Sequence, residues 1–190
     1  MVVDTAIRVR RYSFTVDEFA KMGEVGIFTE DDRVELIDGE VRKMAAIGPL
    51  HAGIVDRLML TLVELLRRSA FVRVQNPLLL DLHNEPQPDI SVLKPRDDHY
   101  TTSLPEPGDT LLVIEVADST LVYDLHEKAP RYARSMIPEL WIVDLEAKVV
   151  RVFTQPGPSG YANEREVPRG STIESAGVEG LRVDVDEIFG

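Results

Sequence analysis

Three polar residues stand where packing alone would call for apolar ones. Asp89 follows the proline pair Pro86 and Pro88, Glu115 interrupts the apolar run Leu111-Leu112-Val113-Ile114-Glu115-Val116, and Lys128 falls on the face of a helix that should be buried. An unpaired carboxylate inside such a strand would cost several kcal/mol, so Glu115 must have a partner, either a metal cation or a basic side chain. Two carboxylates from adjacent strands are a usual oxygen-ligand supply for Mg²⁺, which keeps several waters and completes its shell with substrate phosphate. Such an ion acidifies a water and offsets charge developing on phosphorus, while a nearby lysine can orient the nucleophile or neutralise the phosphate. The chemistry indicated is phosphodiester hydrolysis; the plainer reading of the same residues is a set of satisfied ion pairs.

The elements that would position them follow from local pattern. Asp89 opens a short strand, Asp89-Ile90-Ser91-Val92-Leu93, because the two prolines before it cannot continue a central strand. Residues 111–116 are too apolar for a surface strand and read as a central one. Residues 121–136 have a helical pattern, and Lys128 lies seven residues after Leu121, flanked by Leu125 and Tyr132; seven steps of about 100° return to nearly the same face. Pro130 removes the bond to the His126 carbonyl, so this helix either starts late or kinks. Lys128 also has an ordinary reading, a snorkelling side chain.

Upstream, Thr15 and Glu18 form a Thr-x-x-Glu capping box, with Phe14 and Phe19 placed for a hydrophobic staple, and predict a short helix stopping near Gly23. Asp38-Gly39 between two strand-like runs is a favoured hairpin turn that sets Ile37 against Glu40, Leu36 against Val41 and Glu35 against Arg42. From spacing alone Glu35 is then a cross-strand ion pair, contributing about 0.2–1 kcal/mol. In residues 51–69, Ile54, Val55, Leu58, Leu62, Leu65 and Leu66 recur at helical spacing. His51, near the start of that helix, could cap it, contact phosphate or simply be solvated, and for a lone histidine the unremarkable role is preferred. Residues 71–74, 78–82, 140–144 and 149–153 read as strands, and 94–109 as a loop whose His99-Tyr100 would form a mobile lip. The tail from Gln155 is rich in glycine and proline, with one strand candidate at 181–185. The pattern implies one domain over 1–190, a mixed β-sheet flanked by helices of the α/β (α+β) kind.

The net charge of −12 argues against a broad basic surface for tight, nonspecific nucleic-acid binding, but not against a small site that handles phosphate through a metal ion. With no cysteine there is no disulfide framework and no thiolate, so any metal is held by oxygen or imidazole. No apolar run approaches the roughly 18 residues of a membrane span, and residues 1–11 lack the apolar centre of a signal peptide, which predicts a cytosolic (cytoplasmic) protein with no membrane association. A Gly-x-Ser-x-Gly elbow, a Walker phosphate loop and a His-Glu-x-x-His pair are all lacking, and His51, His83, His99 and His126 have no metal-ligand spacing.

Pro88-Asp89 followed by Glu115-Val116-Ala117 on an apolar strand resembles the PD-(D/E)XK nuclease superfamily. More specifically, Val34-Glu35-Leu36-Ile37-Asp38-Gly39-Glu40, Pro86-Gln87-Pro88-Asp89, Ile114-Glu115-Val116, Tyr123-Asp124 with Lys128 and Tyr132, and Ile137-Pro138-Glu139-Leu140-Trp141-Ile142-Val143-Asp144 resemble the Uma-type putative restriction endonuclease family, over about 14–189. The superfamily pattern puts a lysine two residues after the acid, where this chain has Ala117; in the Uma-type family the lysine has moved to the following helix, which fits Lys128. The resemblance implies a restriction-endonuclease-like core and a Mg²⁺ (or Mn²⁺) ion bound by Asp89, Glu115 and the Val116 carbonyl. It also implies Lys128 as the residue assisting the water and Glu35 as an auxiliary acid. The expected activity is endonucleolytic hydrolysis of nucleic acid, DNA in the first instance, by metal-activated water, with a homodimer gripping the substrate. The alternative from another class is a catalytically inactive nuclease-like fold that binds a partner or serves in assembly, with Glu115 and Lys128 a buried ion pair; the acidic composition and the missing lysine at 117 favour it.

Overall fold

The structure is a computed structural model and describes residues 11–29 and 31–190, so the reading of the N-terminal stretch concerns, apart from Arg11, residues outside that range. The first described helix, α1 (Val16–Glu24), starts as its capping box dictates, with Thr15 Oγ1 accepting from Glu18 N–H and Glu18 returning the bond to Thr15 N–H. Strands β1 (Val34–Ile37) and β2 (Glu40–Lys43) pair in the expected register, with Asp38 and Gly39 both at positive φ, 50° and 72°, as a primed hairpin turn requires.

The main sheet has six strands in the order β3 (Phe71–Val74), β4 (Ile90–Leu93), β5 (Thr110–Ala117), β6 (Glu139–Asp144), β7 (Val149–Gly157) and β8 (Gly160–Pro168). All neighbours are antiparallel except β5 and β6, whose parallel pairing needs a crossover, supplied by the helical segment 121–134. Side chains alternate across β5 as a strand's period of two demands. Leu112, Ile114 and Val116 pack on one face beneath the long helix α2 (Pro49–Leu66), with its Ile54, Val55, Leu58, Leu62 and Leu66. Val113 and Ala117 face the opposite core, with Ala129, Tyr132, Ile137, Leu140 and Ile142. Glu115 belongs to that second face by parity. This is the mixed sheet between helices expected from the sequence, and among the described residues no helix is long and apolar enough to cross a membrane.

Several expectations are corrected. Residues 78–82 form no strand: Leu78 and Leu80 are buried, but their backbone N–H groups donate to the Pro86 and Asn84 carbonyls of the adjoining loop rather than to a ladder. Leu65 lies on the outer side of α2 and is exposed. The tail is more regular than its glycines and prolines suggest, with β7 running on to Gly157 and followed by β8, β9 (Thr172–Glu174), β10 (Arg182–Asp184) and α5 (Val185–Phe189). β8 is a sheet edge, and its mostly exposed run including Glu164, Arg165 and Glu166 has no buried face to advertise it. The His99-Tyr100 lip is fastened: Tyr100 is buried, donates its hydroxyl to the Lys94 carbonyl at 2.8 Å and lies under the Arg96 guanidinium.

Gly39 is one place where no other residue fits. Besides its φ of 72°, a Cβ there would run into Ser13 Oγ and come within 2.9 Å of the Phe14 backbone N and O. Gly39→Ala should therefore lose about 2 kcal/mol or more of unfolding free energy in urea titrations, since positive φ alone costs about 1–2 kcal/mol.

Candidate active site

Four buried carboxylates and one buried ammonium converge on one cavity of about 350 Å³. Extending the β4–β5 register one step beyond Ile90↔Ile114 sets Asp89 across from Glu115. Lys128 and Asp124 come from the crossover, which is not a continuous α-helix. It begins as α3 (Leu121–Tyr123), widens into a π-turn (Asp124–Lys128) and resumes as α4 (Ala129–Arg134), with Pro130 in the first turn of α4, where a missing N–H is tolerated. The proline is thus accommodated by a wide turn, and Asp124, Lys128 and Tyr132 all end up buried.

Lys128 Nζ lies 3.0 Å from Glu115 Oε1 and 3.3 Å from Glu35 Oε2. Tyr132 donates its hydroxyl to Glu115 at 2.7 Å, and Tyr123 donates to Glu35 at 3.0 Å. The sequence-based ion pair between Glu35 and Arg42 is therefore corrected: the two are opposite in register, but Glu35 turns inward to Lys128, Tyr123 and the Gln87 N–H, while Arg42 pairs with Glu40 at 2.6 Å. Nor is Lys128 a snorkelling side chain.

Asp89 is held from three sides. Its Oδ2 accepts the Val116 N–H at 2.8 Å, and its Oδ1 faces His51 Nε2 at 3.0 Å and Gln75 Nε2 at 3.2 Å. His51, preferred from sequence as an unremarkable residue, is thus part of the site; it is delivered by the first turn of α2, whose Pro49 at the start fixes where that turn begins. Tyr123 and Asp124 were legible only as parts of a family motif, and Tyr132 also as a flank of the Lys128 face, yet all three belong to the site or its immediate support.

The electrostatics are those of too much negative charge in too little water. Burial, reinforced by Asp124 and Asp89 and opposed by Lys128, pushes the Glu115 carboxyl up to about 8. Burial likewise raises Asp124 to about 6, against the Lys128 charge and its bond from Thr120. Burial opposes the charge on Lys128, but Glu115, Glu35 and Asp124 outweigh it and raise its pKa, so the ammonium persists while the carboxyls of Glu115 and Asp124 are the ones pushed up. Burial also works against Asp89, yet its bonds from His51, Val116 and Gln75 hold it below the usual carboxylate range, and the Asp89 bond raises His51 in turn.

A metal ion would meet an oxygen donor set here. Among the described residues no three His, Asp or Glu side chains already stand as a metal cage. An ion that retains its waters needs only one or two carboxylates, and relief of the crowded charge on Glu115 and Asp124 is what a cation offers. The donor chemistry fits.

The family model described as "Uma2: Putative restriction endonuclease" matches residues 16–186, nearly the whole chain. The chain belongs to the Uma2 family. Among solved structures, this Uma2 chain is similar to the crystal structure of "a putative nuclease belonging to DUF820" from Anabaena variabilis ATCC 29413, with a TM-score of 0.69, 16% identity, and coverage of 93% of this chain and 97% of that one. At that identity the likeness speaks for the fold, which is the restriction-endonuclease-like core. A search of curated proteins finds no match. The Uma2 match takes in every residue of the cavity floor, from Glu35 to Lys128.

The raised carboxyls set the pH dependence of stability. A folded-state pKa above the unfolded one means that the native protein binds more protons, so stability falls as pH rises through the window between the two values. For Glu115 that window runs from about 4.5 to about 8 and for Asp124 from about 3.8 to about 6. His51 has the same sign, its contribution being complete below 6.5 and lost as pH rises through its raised value. In EDTA, the urea midpoint should fall between roughly pH 5 and 8, and Glu115→Gln should flatten the upper part of that fall while leaving the His51 share.

Proposed function

We propose that this chain is a divalent-metal-dependent nuclease that hydrolyses a phosphodiester bond of nucleic acid, with DNA as the expected substrate, at the cavity around Asp89, Glu115 and Lys128. The observation that carries this reading is the excess of buried carboxylate: Glu35, Asp89, Glu115 and Asp124 share the floor of one cavity with a single buried ammonium, Lys128, an arrangement that costs folding stability and that a divalent cation relieves. Membership of a family described by its nuclease relationship points the same way.

Asp89 and Glu115, with the Val116 carbonyl, are the groups that would hold Mg²⁺ or Mn²⁺. Bound there, the ion supplies a Lewis acid that acidifies a water and offsets charge growing on phosphorus. The chain's own residues do the rest. His51, Gln75 and the Val116 N–H keep the Asp89 carboxylate in one orientation, which lowers the reorganisation needed when phosphate arrives. Lys128 presents a permanent positive charge beside Glu115 and takes the role left open at Ala117, orienting the attacking water or neutralising a phosphoryl oxygen. Glu35 serves as the auxiliary acid by fixing the Lys128 ammonium from the other side.

A second reading, a nuclease-like fold without activity that binds a partner or serves in assembly, is favoured by one observation: Lys128 already offers Glu115 and Glu35 a bonded cation. Calorimetric titration with Mn²⁺ separates the two. The catalytic reading expects binding that is lost in Asp89→Ala, and metal-dependent DNA cleavage that drops at least about 100-fold in Asp89→Ala and in Glu115→Ala. The second expects no binding that depends on Asp89, and unchanged cleavage in both variants would remove the assignment.

A further inference from the structure

The cavity's rim differs in character from its floor. On the floor, Asp89, Glu115 and Lys128 are 6%, 3% and 5% exposed. The rim carries three cations, Arg33, Arg42 and Lys43, all from the β1–β2 hairpin or the residue that enters it. Arg42 stands across the hairpin from Glu35, so one cross-strand pair serves both levels, with the acid turned inward to Lys128 and the guanidinium left 44% exposed. The chain continues from these cations into an extended stretch in which Ala45, Ala46 and Ile47 are exposed and line the same cavity.

We infer that the site takes a single, unpaired polynucleotide strand, and that Arg42, with Arg33 and Lys43, grips the phosphates flanking the one to be cleaved. This rests on the nuclease reading above and names its substrate class. Three observations support it. At about 350 Å³ the cavity is at the small end of ligand pockets, sized for a nucleotide-scale group, and its reactive groups lie at the bottom. A flexible strand can bend a phosphate down to them, whereas a stiff duplex holds each phosphate in line with its neighbours. Duplex binders that rely on phosphate contacts make about 6–10 of them, yet the rim offers three cations in a chain of net charge −12. The exposed apolar strip of Ala46 and Ile47 beside the cations suits an unstacked base, which a duplex does not present.

Fluorescence anisotropy in EDTA with short labelled single-stranded DNA, single-stranded RNA and blunt duplex DNA tests this, paired with cleavage of the same substrates in Mg²⁺ and Mn²⁺. A single strand of either kind should bind at least about 10-fold tighter than the duplex, with a log–log salt slope of about −2, as expected for three single-strand phosphate contacts. Arg42→Ala should weaken strand binding about fivefold and reduce that slope by about 0.7, while Mn²⁺ titration stays as in the parent protein. Arg182→Ala removes the same charge from an exposed site on β10 outside the cavity lining and should change nothing. Duplex bound and cleaved as well as single strands, no strand binding at low salt, or equal losses in Arg42→Ala and Arg182→Ala would each overturn the inference. Arg42-dependent strand binding without cleavage of any substrate would instead uphold the rim assignment and overturn the nuclease reading.

Discussion

The buried ammonium of Lys128 is the interaction on which the rest depends. It touches Glu115 from the central strand and Glu35 from the hairpin, so it ties the crossover, the main sheet and the β1–β2 unit together at one point. Removing its charge would take the cation away from the buried Glu115 and Glu35, a change that costs roughly 3–5 kcal/mol when a buried pair is broken. The same crowding that makes the lysine indispensable keeps the cluster short of positive charge, because one cation faces four acids. On the proposed nuclease reading, stability and reactivity draw on the same imbalance: a cluster fully neutralised by a second lysine would hold the fold better and a metal ion worse.

Geometry reaches this point through two local devices. Parity along β5 sends Glu115 to the crossover face, since Val113 and Ala117 lie in that core and Ile114 and Val116 lie in the other. The π-turn then adjusts the crossover so that Asp124 and Lys128 are both buried, with Tyr132 following on α4. A parallel β5–β6 pair needs some crossover in any case. This one carries buried side chains of the charge cluster as well as closing the connection.

What could be read from the sequence was what is periodic or near in the chain. The hairpin register, the α2 stripe, the capping box at Thr15, and the need of Glu115 for a partner supplied by Lys128 are of this kind. The contact of His51 with Asp89 spans 38 residues and joins a helix start to a strand start, so no local pattern announces it. Glu35 was legible as a charge opposite Arg42, but which way it turns depends on Lys128, 93 positions further along the chain. β8 escaped because an edge strand with mostly exposed polar residues lacks the alternation that marks a half-buried one.

The hairpin is a sheet of its own, apart from the six-stranded one. It is attached through backbone bonds between Leu36 and Glu85, a bond from Gly39 N–H to the His83 carbonyl, and the pairing of Asp38 with Arg131. A two-stranded unit has little stability alone, so this wall of the cavity keeps its place through Leu36 and Ile37, both fully buried, and through the bonds of Glu35 to Lys128, Tyr123 and the Gln87 N–H. Displacing it would withdraw Glu35 from Lys128 and bring two core side chains into water at once. Wall and floor are therefore one piece of structure: the acid that steadies the lysine also rivets the hairpin to the body of the protein, and the charge cluster is whole only with that wall in place.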